Sequence, residues 1–253
     1  GATAPPYAAK SVKKLMENVD LGVYHVKHRG KNGIKVFDTL FQNSVEAEKE
    51  KDHAHIYQEY ESTIYALTAA IDAKDHYTFS HSNNVAYYAM ELAKALGMNQ
   101  DVVEIIRQSA LLHDVGKIGI PENILNKKGR LTEEEYEVVK GHVEASIGII
   151  RHLPSLDYVI PAVIGHHERY DGRGYPRKIA GEDIPATARI LCIADSFDAI
   201  TSKRCYKKSS SVERAREILL EEAGRQFDPH MVQVFVKCLD EGTIRLIKSE
   251  PDL

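Results

Sequence analysis

At 253 residues, with 43% hydrophobic and 28% charged residues, the chain has the composition of an ordinary globular protein with room for one full-sized domain and a smaller piece. A formal net charge of −4 excludes the broad basic footprint of a binder of long nucleic acid, but leaves room for a small phosphorylated ligand held by a few local cations. The widely spaced Cys192, Cys205 and Cys238 make neither a disulfide framework nor a zinc ribbon. No run is long and apolar enough for a membrane span and no secretory signal is visible, so the expectation is a cytoplasmic fragment without membrane contact. It begins Gly-Ala-Thr-Ala, without Met, and reads as a piece of something longer.

In chain order, Val12, Leu15, Met16, Val19, Val23 and Val26 recur at helical spacing and predict a helix over 10–29. Gly30-Lys31-Asn32-Gly33 breaks it, and Ile34-Lys35-Val36-Phe37 reads as a short strand. Residues 44–75 form a long helical run, with Ile56, Tyr60, Ile64, Leu67 and Ile71 at three- and four-residue steps. Such a stripe usually means core packing; a connecting or dimerising helix is the functional alternative. Further helices are predicted over 78–97 (closed by Gly97), 100–114, 132–152, 157–168 and 185–201. Thr132-Glu-Glu-Glu135 and Ser210-Ser-Val-Glu213 read as capping boxes, and Asp228-Pro229 as an N-cap followed by Pro in the first turn. No convincing strand follows residue 40, so the main domain is expected to be an all-α bundle with a short N-terminal helix-strand extension.

Chemistry concentrates at helix ends. His113-Asp114 closes an apolar helical run, and Lys117 follows one turn later. A lone His-Asp pair more often does surface or capping work, but here His81, His142, His166 and His167 and the carboxylate Asp195 join it. Adjacent histidines on a helix diverge by ~100°, so His166 and His167 reach one point only if the helix ends there, which the following Asp-Gly-x-Gly stretch allows. Five imidazoles and two carboxylates suit iron, manganese or zinc better than magnesium or calcium.

Two family resemblances rest on these residues. Asp20-Leu-Gly-Val-Tyr24, with Lys27 and Gly30-Lys31-Asn32, resembles the last helix, turn and strand of a GGDEF (diguanylate cyclase) domain. The catalytic part of that family is absent, so the remnant is not a cyclase. His81-Ser82, His113-Asp114-Val-Gly-Lys117, His142, His166-His167-Glu168, Asp171-Gly-Arg-Gly-Tyr-Pro176 and Ile193-Ala-Asp195-Ser-Phe-Asp198 resemble an HD-GYP domain over roughly residues 55–240. That is the subgroup of HD phosphohydrolases that hydrolyses cyclic di-GMP.

The resemblance implies domains at 1–43 (the tail of a GGDEF domain), 44–75 (a connecting helix) and 76–253 (the phosphohydrolase). It also implies two divalent metals, iron or manganese. One takes His81, His113, Asp114 and Asp195; the other takes Asp114, His142, His166 and His167, with Asp114 bridging. A hydroxide between the metals is the implied nucleophile, giving pGpG and further GMP. Two cations ~3.5–4 Å apart acidify a shared water and clamp a phosphodiester, which suits this donor set. Tyr77 stands where some members have the Glu that holds a third metal, so two are expected. Val143 replaces the family's usual Pro, with a local backbone effect expected, and Cys205 replaces another. Substrate contacts are expected from Lys117 and, in the cluster after Asp195, from Asp198, Arg204 and Lys207; an ordinary basic loop is the plainer reading of Lys207. Tyr175 either stacks on guanine or plugs its loop onto the bundle, the second being favoured. Expected partners are cyclic di-GMP, a GGDEF domain in the full chain and a second copy through the connecting helix. Another cyclic dinucleotide as substrate, and a non-catalytic cyclic di-GMP receptor, are the rival functions.

Overall fold

Helix boundaries in the computed structural model follow the capping residues. The structure describes residues 61–71, 73–74, 81–153, 156–202 and 210–247. Contacts divide the chain into Gly1–Glu61 and Ser62–Leu253, and the helices from His81 onward all belong to the second unit. The expected N-terminal helix and strand, Tyr77, and the Arg204–Lys207 segment lie outside the described residues.

Nine α-helices are described from His81 onward: α1 (His81–Ala95), α2 (Gln100–Leu112), α3 (Glu122–Leu125), α4 (Glu133–Lys140), α5 (His142–Ile150), α6 (Ile160–Gly165), α7 (Ala186–Thr201), α8 (Val212–Glu221) and α9 (Pro229–Asp240). Among the described residues there is no strand, only an isolated bridge between Ala223 and Phe227. The all-α expectation therefore holds for this unit.

Local chemistry accounts for the starts and stops. Asn99 caps α2 by accepting from Val102 N. Thr132 and Glu135 form a reciprocal capping box at α4. Asp228 caps α9, accepting from His230 N and Met231 N, with Pro229 in the first turn. Gly97 takes φ +74° just after α1, the left-handed geometry that ends helices.

Four expected boundaries are corrected. The run 132–152 is two helices, because the α4 and α5 hydrogen-bond ladders part at Gly141, whose N–H is shared between Glu137 O and Val138 O. The run 157–168 is a 3₁₀ turn, Asp157–Val159, then a short α6 with Pro161 in its first turn, where its missing N–H costs nothing. α2 stops at Leu112, and Val115–Gly119 tightens into a 3₁₀ turn. The cap of α8 is Ser211, accepting from Arg214 N, rather than Ser210.

The core lies where α1 packs on α2 and α7. Val85, Tyr88, Ala89 and Leu92 of α1, Ile106 and Ala110 of α2 and Ile190, Ile193 and Phe197 of α7 are all at or below 1% exposure. Tyr88 and Phe197 meet edge to face at 4.9 Å, and Phe197 meets Phe235 of α9 at 5.1 Å. This packing sets the start of α1, the end of α2 and the middle of α7 around one pocket. α5 packs on the Val115–Gly119 turn. That approach needs Gly116, since a Cβ there would sit 2.0 Å from His142 O and 2.4 Å from Ser146 N.

Candidate metal centre

Each imidazole is aimed by the backbone that carries it. His113, His142 and His166 sit at a helix end or start, and each Nδ1 lies 2.6 Å from the carbonyl three residues back: Ala110 O, Val139 O and Val163 O respectively. A carbonyl only accepts, so each Nδ1 carries the proton and each Nε2 is left to present a lone pair. Those three Nε2 atoms are buried and have no hydrogen-bond partner. An orphaned buried acceptor costs ~1–3 kcal/mol, so three converging on one pocket point to an electron-pair acceptor such as a metal cation.

His81 is held differently. Its Nδ1 lies 2.7 Å from Asp198 Oδ2, while Asn84 Nδ2 donates to Asp198 Oδ1 at 3.0 Å. Its Nε2 is 3.4 Å from Asp195 Oδ1. Asp198, expected to touch substrate, is 1% exposed, with Oδ2 against His81 Nδ1 and Oδ1 accepting from Asn84 Nδ2, a placement suited to orienting His81. Asn84, missed in the sequence, lies one turn from His81 on the same face of α1.

α6 ends at Gly165, so His166 and His167 escape helical divergence and both turn to the pocket, with ring centroids 4.0 Å apart. The donor atoms of Asp114, His142, His166 and His167 lie within 4.8 Å of one another, as do those of His81, His113 and Asp114. Asp114 belongs to both groups: Oδ1 is 3.3 Å from His142 Nε2 and Oδ2 is 3.3 Å from His113 Nε2. Lys117 Nζ lies 2.6 Å from Asp114 Oδ2 across the 3₁₀ turn rather than along a continuing helix.

Supporting contacts knit these pieces. Ser146, one turn along α5 from His142, accepts from Gly116 N at 2.8 Å and donates to His113 O at 3.1 Å. Val143, in place of a family Pro, is fully buried with Ile147 and Ile164 beneath Tyr175. Gly174 lets the loop close onto the histidines, because a Cβ would meet Arg169 N at 2.3 Å and His167 O at 2.6 Å. The buried Glu168 anchors the same loop, with Oε1 accepting from Arg177 N at 2.6 Å and Lys178 N at 3.2 Å. Tyr175 stacks on His167 at 4.8 Å and 25°.

The electrostatics suit a cation. Burial disfavours ionised Asp114, but His113 and Lys117 outweigh it and hold the carboxyl well below its ordinary range. Asp195 is lowered in the same way, with His113 and His81 overriding burial. Burial and neighbouring imidazoles push His166 down to about 3 and His167 well below its ordinary value. His142 is lowered too, chiefly by burial. Burial opposes charge on His113 as well, yet Asp114 and Asp195 prevail and raise it to about 9. At neutral pH the pocket therefore holds two carboxylates and, at His142, His166 and His167, neutral imidazoles, the protonation states that ligate a divalent metal. At His113 a bound cation would take the place of the proton that the same carboxylates attract. The donors fit such an ion on orphaned nitrogens and donor chemistry alike.

The pocket encloses about 430 Å³. Lys117 and Tyr175 are in its lining, and Tyr136, Arg173 and Gln226 line it without having been singled out in the sequence. Arg173 lies within the Gly-x-Gly-Tyr-Pro run, which could have marked it, whereas nothing local marks Tyr136 and Gln226; their placement depends on long-range packing.

An all-helical unit with a mixed His/Asp pocket belongs to the class of helical domains built to hold divalent cations. Residues 66–231 match the HD domain family, and the chain belongs to it. It is 38% identical over 193 residues to 3'3'-cGAMP-specific phosphodiesterase 2 of Vibrio cholerae, covering 75% of this chain and 36% of that protein. It is 38% identical over 177 residues to the cyclic di-GMP phosphodiesterase response regulator RpfG of Xanthomonas campestris, covering 69% of this chain and 47% of that one. Its fold resembles the crystal structure of a cyclic GMP-AMP specific phosphodiesterase of V. cholerae, with TM-score 0.56 and 18% identity over 72% of this chain and 49% of that one. The chain thus spans about a third to a half of the length of these relatives.

Proposed function

We propose that this chain is an HD-GYP phosphodiesterase module that hydrolyses cyclic di-GMP to pGpG and further to GMP. The observation that carries this reading is the convergence of His113, His142 and His166, each with an orphaned Nε2, on the carboxylate of Asp114. The HD-GYP motifs and relatives named for cyclic dinucleotide hydrolysis support it. Two divalent cations, iron or manganese, would be held by His81, His113, Asp114 and Asp195 and by Asp114, His142, His166 and His167. When bound, they supply charge neutralisation at the phosphoryl group and an acidified water. The remaining work belongs to the chain. Asp114 and Asp195 stay ionised, and the three low-pKa imidazoles stay neutral. Lys117 holds an ammonium group at the pocket wall, where it meets a phosphate oxygen of the substrate. Asp198 fixes the His81 tautomer, and Arg204 and Lys207 add phosphate or guanine contacts. Tyr175 serves the loop, closing the pocket over His167.

A second substrate, 3'3'-cGAMP, is favoured by the relative named for it. Residues 1–43 as the tail of a GGDEF domain, 44–75 as a connecting and dimerising helix and 76–253 as the catalytic domain complete the proposal, in a cytoplasmic signalling protein. Among the described residues no helix is long and apolar enough to cross a membrane.

Anaerobically prepared protein should contain two metals per chain and hydrolyse cyclic di-GMP, with 3'3'-cGAMP assayed in parallel. His113→Ala with Asp114→Ala should abolish both properties. Hydrolysis surviving in the double variant overturns the assignment, and verified metal without turnover of either dinucleotide leaves the receptor reading in its place.

A further inference from the structure

We infer that Tyr136 is the platform on which one purine base of the cyclic dinucleotide stacks, a role that rests on the phosphodiesterase reading of the pocket. The metal-ligating floor needs only one phosphodiester of a molecule that carries two phosphates and two bases. A base therefore projects along the pocket wall and calls for a flat apolar surface there, since base–aromatic stacking is the general device for holding a purine.

Among the described residues, the pocket has two phenol rings in its lining, Tyr136 and Tyr175. Tyr175 is committed to the protein. It stacks on His167, it presents its ring edge-on to Tyr136 at 6.5 Å, and it packs against the buried Val143, Ile147 and Ile164. Tyr136 remains 46% exposed while lining the pocket, and Lys140 Nζ sits 4.8 Å from its centroid. The Lys140 ammonium, paired with Glu137 Oε1 at 2.5 Å, lies over one face of the Tyr136 ring, so a base would take the other face. Tyr136 is held ready. Its N–H donates to Thr132 O at 2.9 Å in the first turn of α4, the turn fixed by the Thr132–Glu135 capping box. A ring on a rigid capped helix loses little freedom on binding, which favours affinity.

The test measures hydrolysis of cyclic di-GMP by the manganese-loaded chain and, separately, its Kd for manganese alone. Tyr136→Ala and Tyr136→Leu should each raise KM for cyclic di-GMP about tenfold, with kcat within about twofold. Tyr136→Phe and Tyr136→Trp should restore a KM near that of the unaltered chain, because they keep a π face. The manganese Kd should be unchanged in all four. An unchanged KM in the Ala and Leu variants overturns the inference. So does a KM that stays high in the Phe and Trp variants, or an equal loss of manganese affinity, which would mark Tyr136 as a prop for Tyr175. If the unaltered chain hydrolyses no cyclic dinucleotide, the functional reading itself fails, and that control separates the two failures.

Discussion

The proton on each histidine decides what the pocket can hold. Backbone carbonyls take the Nδ1 proton of His113, His142 and His166, whereas Asp198 takes that of His81. Replacing Asp198 by Asn preserves shape but removes the charge and leaves one acceptor oxygen where His81 Nδ1 and Asn84 Nδ2 each need one, so the hold on the His81 tautomer weakens. Partners of this kind are typically worth ~10–100-fold in metal affinity. Manganese titration of Asp198→Asn should show a loss in that range, and an unaltered Kd would remove Asp198 from the positioning role. The shifted imidazoles also predict the pH dependence of the metal-free protein. His166, at about 3 in the fold and ~6.5 unfolded, is joined by the lowered His142 and His167. Below pH ~6.5 the unfolded chain takes up protons that the fold refuses, so stability falls with acid. His113, raised to about 9, works the other way: its contribution is full below ~6.5 and is lost as pH rises through 9. Thermal midpoints in chelator should therefore peak near pH ~6–7, with the acid side steeper because three imidazoles drive it. Saturating manganese should flatten the alkaline limb, since the cation replaces the His113 proton. Midpoints that rise steadily from pH ~6.5 to ~9 in chelator would contradict this.

At the scale of elements, the site depends on one close crossing. The Val115–Gly119 turn lies so near α5 that Gly116 N reaches Ser146 Oγ, and Ser146 in turn holds His113 O. A methyl group at Gly116 would collide with two backbone atoms of α5 that no rotamer can move. Gly116→Ala should therefore lower stability by ~3 kcal/mol or more, at the upper end of overpacking costs, and weaken metal binding with it. Gly148, exposed on the same α5 with open space around its Cβ position, is the control. There Ala should be neutral or should stabilise by ~0.5–1 kcal/mol through helix propensity. Chemical denaturation of the pair measures the contrast, and equal midpoints would show that the crossing tolerates a side chain.

For the molecule as a whole, folding and ligation are coupled. The fold buries the Nε2 atoms of His113, His142 and His166 without hydrogen-bond partners and sets Asp114 and Asp195 near them, an arrangement that a cation relieves. A cation at about a hundred times its Kd adds about 2.7 kcal/mol. For a unit of this size, at about 2–4 °C per kcal/mol, the unfolding midpoint should rise by roughly 5–10 °C over that in chelator. Differential scanning fluorimetry with and without manganese checks it, and superimposable curves would mean the pocket binds no cation.

What the sequence determined by itself was local or strongly patterned. Asn99, Thr132, Asp228 and Gly97 act within a turn of their own position, so their caps were legible. The seven candidate ligands were legible because, together with the Gly-x-Gly-Tyr-Pro run, they follow the motif pattern that resembles an HD-GYP domain. Tertiary structure decided the rest. Only packing shows that α6 stops at Gly165 and so turns both histidines inward, that Asp198 is consumed by His81, and that Gly116 is a crossing point. Tyr136 carries no mark in its own helix, and becomes part of a pocket only when the Tyr175 loop folds against it. The physical reason is range. Caps and periodicity are settled by neighbours in sequence, whereas a proton's position, a pocket's rim and a backbone's closest approach depend on groups that the chain brings together only by folding.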